Sequence, residues 1–151
     1  MLCPQTGGTV QPSQPIQRFF RIFESNASSD DVSGAISQFA DVFMAASPQG
    51  TQAVRATDFA LALPKKKQLF GALGCQSTQL VSLRENRLDA RYVMASTQWR
   101  MTFARPETEP EDVVVDSVFI IDTGGDAVKI VFYLANQDLM QVLKERGIAP
   151  Q

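Results

Sequence analysis

The sequence contains no histidine. Imidazole is therefore missing from every catalytic dyad, triad or zinc set, and a Ser-His-Asp hydrolase is excluded outright. Cysteine is scarce: Cys3 and Cys75 are the only two, and a disulfide between them is not expected to organise the fold. No run approaches the roughly 20 apolar residues that cross a bilayer, and the opening Met-Leu-Cys-Pro-Gln-Thr-Gly-Gly has neither the basic start nor the apolar stretch of an export signal. A cytoplasmic protein without membrane association is the expectation. An excess of one charge is lacking too, with 14 Lys and Arg against 16 Asp and Glu, so no field favours condensation on phosphates and nucleic acid is not an expected partner. Pro64-Lys-Lys-Lys67 does not override that balance and reads as solvated surface. Without a Cys/His set or a compact carboxylate cluster, neither a metal nor another cofactor is expected.

What is present is apolar and aromatic. Hydrophobic residues make up 44% of the 151, with 10 Phe among them. A chain of this length is most simply one domain, burying roughly 70% of its extended surface around an aromatic-rich core. Residues 1–14, rich in Gly, Pro, Gln, Ser and Thr, read as a flexible tail, residues 15–148 as the domain and 149–151 as a short C-terminal tail.

Ile16, Phe19, Phe20 and Phe23 fall at the i, i+3, i+4, i+7 spacing of one helix face, with Pro15 at the entrance and an end before Ser28. Ser28 or Ser29 can cap a second helix that buries Val32, Ile36 and Phe39. Residues 41–46 are more extended, and Pro48-Gln-Gly50 turns them into a small hairpin with Thr51–Arg55. Thr57 is a candidate cap for a helix that Pro64 breaks near Leu63, and Gly74 offers its left-handed stop.

The second half is strand-like. Thr78–Arg87 and Arg91–Ala104 form two strands; in the latter Val93, Ala95, Thr97, Trp99, Met101 and Phe103 share the core face, and Tyr92, Met94, Ser96, Gln98, Arg100 and Thr102 the other. That opposite face is apolar enough to meet another subunit. Val113–Asp122 and Ala127–Leu134 follow, joined by the hairpin signal Asp122-Thr-Gly-Gly-Asp126. Asn136 caps a last helix carrying Leu139, Val142 and Leu143, ended by Gly147. Helices first and strands after, with no repeated βα unit, give an α+β fold: a curved antiparallel or mixed sheet wrapped around N-terminal helices.

This order, with Tyr92-Val-Met-Ala-Ser-Thr-Gln-Trp-Arg-Met-Thr-Phe103 and the late hairpin, resembles the nuclear transport factor 2 superfamily, also called SnoaL-like or ketosteroid-isomerase-like, over about residues 15–148. The resemblance implies a cone-shaped, cystatin-like α+β roll enclosing a cavity, with a homodimer through the outer face of the sheet. It implies no single reaction, because members include isomerases, dehydratases, cyclases, delivery domains and proteins without assigned chemistry. Scytalone dehydratase-like chemistry needs pocket histidines and is disfavoured here.

Within such a pocket, proton-shuttle chemistry of the ketosteroid-isomerase kind requires a buried carboxylate and a hydrogen-bond donor for the developing oxyanion. Asp41 and Asp116 are the candidate bases and Tyr92 the candidate donor, with Tyr133 the other tyrosine; Asp58 is better explained by the dipole of its helix. Phe19, Phe23, Trp99, Phe119 and Phe132 are the candidate walls for a hydrophobic or aromatic ligand, although each also suits a core. Three functions follow: a protein binding a hydrophobic small molecule, a cofactor-independent isomerase, lyase or cyclase, and a noncatalytic homodimeric interaction domain.

Overall fold

The computed structural model describes residues 12–151. The expected tail over residues 1–14 thus lies almost wholly outside the described residues, as does Cys3. Helix α1 spans Gln14–Ala27, with Pro15 in its first turn, and buries Ile16, Phe19 and Phe20. Helix α2 is a single turn, Val32–Ile36, capped by Asp31, whose carboxylate accepts the amide of Gly34 at 3.0 Å. Ser29, an expected cap, instead accepts the amide of Asp31 at 2.8 Å and shapes the turn before the helix. Phe39, expected on this helix, begins strand β1.

Strands β1 (Phe39–Ser47) and β2 (Gly50–Arg55) form the anticipated hairpin. Helix α3 follows at once as Ala56–Ala72, capped at Arg55 rather than Thr57 and unbroken by Pro64, which is exposed within it. A proline removes one helical hydrogen bond, but the helix is held from both ends of its apolar stripe, by Phe59 packed on the Phe39 and Phe43 rings and by Phe70 packed on a second cluster. Gly74 takes φ +95° and turns the chain into β3.

Strands β3 (Cys75–Arg87), β4 (Tyr92–Phe103), β5 (Glu111–Asp122) and β6 (Lys129–Ala135) complete a six-stranded mixed sheet of order β2-β1-β6-β5-β4-β3. Every neighbouring pair is antiparallel except β1 and β6, which run parallel and join the two ends of the fold. The expected alternation holds through β4, where residues 93 to 103 are buried at every odd position. Register shifts in β3, between Ile120 and Ile121 of β5 against β6, and between Phe39 and Met44 of β1 bend the sheet toward the helices.

Two clusters fill the concave side. The larger joins Ile16, Phe19 and Phe20 to Phe39, Phe43, Val93, Trp99, Phe119, Ile121 and Ile130. The smaller packs helix α4 (Leu139–Glu145) on Met101, Phe103 and Val113 through Leu143. Asp138, not Asn136, caps α4, accepting the amide of Gln141 at 3.2 Å. Ile148 and Ala149 are buried in this cluster, so the packed domain runs one residue beyond the expected boundary at 148.

Candidate functional site

Between the helices and the concave side of the sheet lies a cavity of about 530 Å³, a size typical of small-molecule sites. Its helical wall is α3, from Asp58 and Phe59 through Ala62, Leu63, Lys66 and Lys67 to Phe70. These positions recur every three or four residues, which places them on one stripe of the helix. The opposite wall is the odd-numbered face of β4 and β5, with Trp99, Met101, Val115, Ser117 and Phe119, and behind it Phe39, Phe43, Ala45 and Tyr133.

Helix α1 closes the third side with Phe23, Asn26 and Ala27. It is tied to the edge strand, where the bulge between Leu80 and Ser82 interrupts the ladder. Glu24 accepts the amide of Leu80 there at 2.7 Å, and Glu85 accepts both the amide and the hydroxyl of Ser13 at 2.8 Å. The Lys67 ammonium donates to the carbonyls of Asn26 and Ser29, pinning α3 to the end of α1 where the helix dipole favours a cation.

The Phe23 ring joins those of Trp99 and Phe119 on this wall, centre to centre at 5.5 Å and 5.3 Å. Buried polar groups among them are mostly satisfied within the protein. Trp99 Nε1 donates to Thr97 Oγ1 at 2.8 Å, and that hydroxyl donates onward to the carbonyl of Ser117 at 2.9 Å. Gln38 donates from Nε2 to the carbonyl of Phe19 at 2.9 Å, and its side-chain oxygen accepts from Asn26. The Ser117 hydroxyl differs: it is buried on the wall and has no hydrogen-bond partner among the described residues.

Three of the five predicted ligand-binding residues, Phe23, Trp99 and Phe119, meet on this wall. Phe19 does not line it, because it points into the packed core between α1 and the sheet, edge-on to Phe20 at 5.3 Å. Phe132 does not either. The shift between Ile120 and Ile121 places Phe132 opposite Ile120 on the convex face, and Tyr133 takes the inward position opposite Phe119.

The predicted catalytic residues are not brought together at the cavity. Asp41 is exposed, in the stretch of β1 where the register with β6 shifts. Asp116 faces outward opposite Gln98, and its two oxygens accept from Gln98 Nε2 at 3.2 Å and Gln137 Nε2 at 3.0 Å. Tyr92 is likewise on the convex face, under the Arg91 guanidinium at 5.6 Å. Among the described residues the single carboxylate on the wall is Asp58, exposed in the first turn of α3. Sequence reasoning weighed Asp58 and Tyr133 and set them aside; the α3 stripe passed unrecognised because Pro64 suggested a break where the helix is continuous.

Two carboxyls at the surface of the sheet are lowered by their partners. Arg91 donates to both oxygens of Asp122, at 2.7 and 2.8 Å, and holds that carboxyl below its ordinary range, with help from the Gly124 amide. The backbone amides of Tyr92 and Arg91 lower Asp89 in the same way. These are turn and strand-end contacts at the sheet surface. Burial raises the Cys75 thiol, disfavouring the nucleophilic thiolate. Among the described residues no group of three or more acidic or cysteine side chains is placed to hold a metal ion, and no helix is long and apolar enough to cross a membrane.

Comparison of the whole coordinates with solved structures settles the architecture. A protein described as NTF2-like with a cystatin-like fold, from Novosphingobium aromaticivorans, superposes with a TM-score of 0.68 at 13% identity, over 91% of this chain and 88% of its own. The chain has the nuclear transport factor 2-like fold. ActVI-ORFA of Streptomyces coelicolor shares this fold with a TM-score of 0.67 at 12% identity, over 83% of this chain and 96% of its own. The beta subunit of the benzoate 1,2-dioxygenase of Burkholderia mallei does so at 0.63 and 15%, over 84% and 91%. No family model and no curated protein sequence matches the chain. The nuclear transport factor 2-like fold is thus established by shape at identities where activity does not transfer.

Proposed function

We propose that the protein binds a hydrophobic or aromatic small molecule in the cavity under α3. The observation that carries this reading is an apolar space of about 530 Å³ with Phe23, Trp99 and Phe119 clustered on its wall. Rings held edge-on and tilted present both faces and edges to a flat guest. Enzymatic turnover is the weaker reading, because Asp41 and Asp116 lie off the cavity and Asp58, the carboxylate on its wall, sits in the exposed first turn of its helix with no donor placed beside it among the described residues. A cytoplasmic location accompanies the proposal, and the free Cys75 thiol suits a reducing compartment.

Trp99 is the sole tryptophan, so its emission reports the cavity directly. Titration with biphenyl is expected to change that emission saturably, and Ala45→Phe, which inserts a ring from the β1 side of the wall, is expected to abolish the response while the protein stays folded. A non-saturating response, or one indifferent to Ala45→Phe, would remove the reading.

The partner proposed for the convex face is a second copy of the chain. Met44, Phe132, Ile120 and Met94 lie directly opposite one another across β1, β6, β5 and β4, and Leu134 and Val118 form a parallel row. Met44 is 39% exposed, and a continuous apolar patch of this kind on a monomer marks an association surface. Light scattering on a sizing column is expected to give a dimer for the native chain and a monomer for Phe132→Glu. A native monomer at high concentration would rule the interface out.

A further inference from the structure

Several polar side chains of the cavity wall are left unmatched by the protein itself, and two of them, one deep and one at the rim, differ in kind. On the inner wall stands Ser117, 6% exposed, flanked along β5 by Val115 and Phe119; its hydroxyl has no partner among the described residues. A buried hydroxyl in that state is less favourable than a bonded one. Thr97 and Gln38, the other buried polar side chains here, are both satisfied internally. At the exposed rim of the same cavity stands Lys66, which forms no ion pair and no hydrogen bond among the described residues.

Lys66 is not neutralised by the carboxylate on its own helix. Asp58 lies eight positions earlier on the stripe, about 12 Å along the helix axis at the usual rise. Lys67 adds a second positive charge beside it, its hydrogens directed to the carbonyls of Asn26 and Ser29. The charged residues of the wall are therefore two cations and one anion, with the free cation on the opening.

We propose that the ligand is an amphipathic acid: an apolar ring system in the aromatic interior, a carboxylate at Lys66 and a hydroxyl or carbonyl oxygen meeting Ser117. The proposal rests on the cavity being a binding site and adds its chemical class. An anionic head orients the molecule at the rim, where water still solvates it, so no buried charge is required. The inner oxygen supplies the hydrogen bond that Ser117 lacks and selects oxygenated rings over bare hydrocarbon.

Calorimetric titration of three para-substituted probes separates the elements: biphenyl carboxylic acid, biphenyl carboxamide, and the hydroxybiphenyl carboxylic acid with its hydroxyl on the far ring. The native protein is expected to bind the acid about three- to fivefold more tightly than the neutral amide, the range of a solvent-exposed charge contact. Lys66→Met is expected to erase that difference by weakening the acid alone. The far hydroxyl is expected to add about two- to tenfold, the net worth of one hydrogen bond, and Ser117→Ala to cancel the gain while leaving the unhydroxylated acid unaffected. If amide and acid bind equally to the native protein, or the hydroxyl adds nothing there, or its gain survives in Ser117→Ala, the ligand class is wrong and the cavity reading stands. If none of the three probes binds, both fall.

Discussion

Phe20→Ala is expected to lower the unfolding free energy by roughly 3–5 kcal/mol, a large share of the ~5–15 kcal/mol available to a domain. Phe20 is fully buried and its ring touches those of Phe19 at 5.3 Å, Phe23 at 5.9 Å and Phe119 at 5.2 Å. It is thus a central part of the grip of α1 on the sheet, beside Ile16, Phe19 and Phe23. Truncation leaves a void between layers that the rigid strands cannot collapse, and removes edge-on ring contacts in addition to the transfer term. Because Phe23 and Phe119 belong to the cavity wall, binding should weaken with stability. Urea unfolding measures the effect, with Ile22→Ala as the control: Ile22 is on the same helix but 49% exposed, and its loss should cost within about 0.5 kcal/mol. Equal midpoints for the two variants would show that α1 is not integral to the fold.

Gly74→Ala is the second large effect, and it acts through the backbone. Gly74 has φ +95°, and a Cβ there would stand 2.4 Å from the carbonyl oxygen of Ala104 and 3.2 Å from its carbon. The obstacle cannot swing aside, since Ala104 is bound to Gly74 by its own amide at 2.8 Å. Left-handed strain of about 1–3 kcal/mol then combines with an overpacking cost of about 1–3 kcal/mol. Gly147 isolates the first contribution, with φ +74° and nothing within 4 Å of its would-be Cβ. Gly147→Ala should therefore lose only about 1 kcal/mol, and Gly74→Ala clearly more, as read from thermal or urea midpoints. Equal losses would mean that the approach of the α3–β3 turn to the end of β4 is unimportant.

The fold was legible where periodicity and turn chemistry agree. The α1 face at Ile16, Phe19, Phe20 and Phe23, the Pro48-Gln-Gly50 hairpin and the alternation from Val93 to Phe103 each have one satisfactory arrangement. Competing local solutions produced the differences. Ser28, Ser29, Asp30 and Asp31 are all of the type that caps a helix, and Asp31 does so while Ser29 is occupied with the turn. Asn136 and Asp138 compete at α4, where Asp138 also accepts from Gln49 at 2.6 Å, a partner distant in sequence. The site was half legible for the same reason. Parity alone brings Trp99 and Phe119 inside and puts Asp116 outside, whereas the outward position of Phe132 depends on a bulge that no composition signal announces. Lys66 and Ser117 gain meaning only once α3 and β5 face each other across the cavity.

The parallel pairing of β1 with β6 sets an order on assembly. Phe39 lies beside Ile130 and Ala46 beside Leu134, so an early strand waits for the last strand before the sheet can close. Until β6 leaves the ribosome, the β1–β2 hairpin has both edges open and no neighbouring strand, while β3, β4 and β5 can already zip together through adjacent antiparallel turns. Closing so long a loop is entropically expensive and slow compared with local pairing. The cavity is consequently a late product of folding: its wall at Tyr133 and Ala45 comes into register in the same event that makes the sheet continuous, and a nascent chain short of that point has the aromatic residues but no vessel to hold a guest.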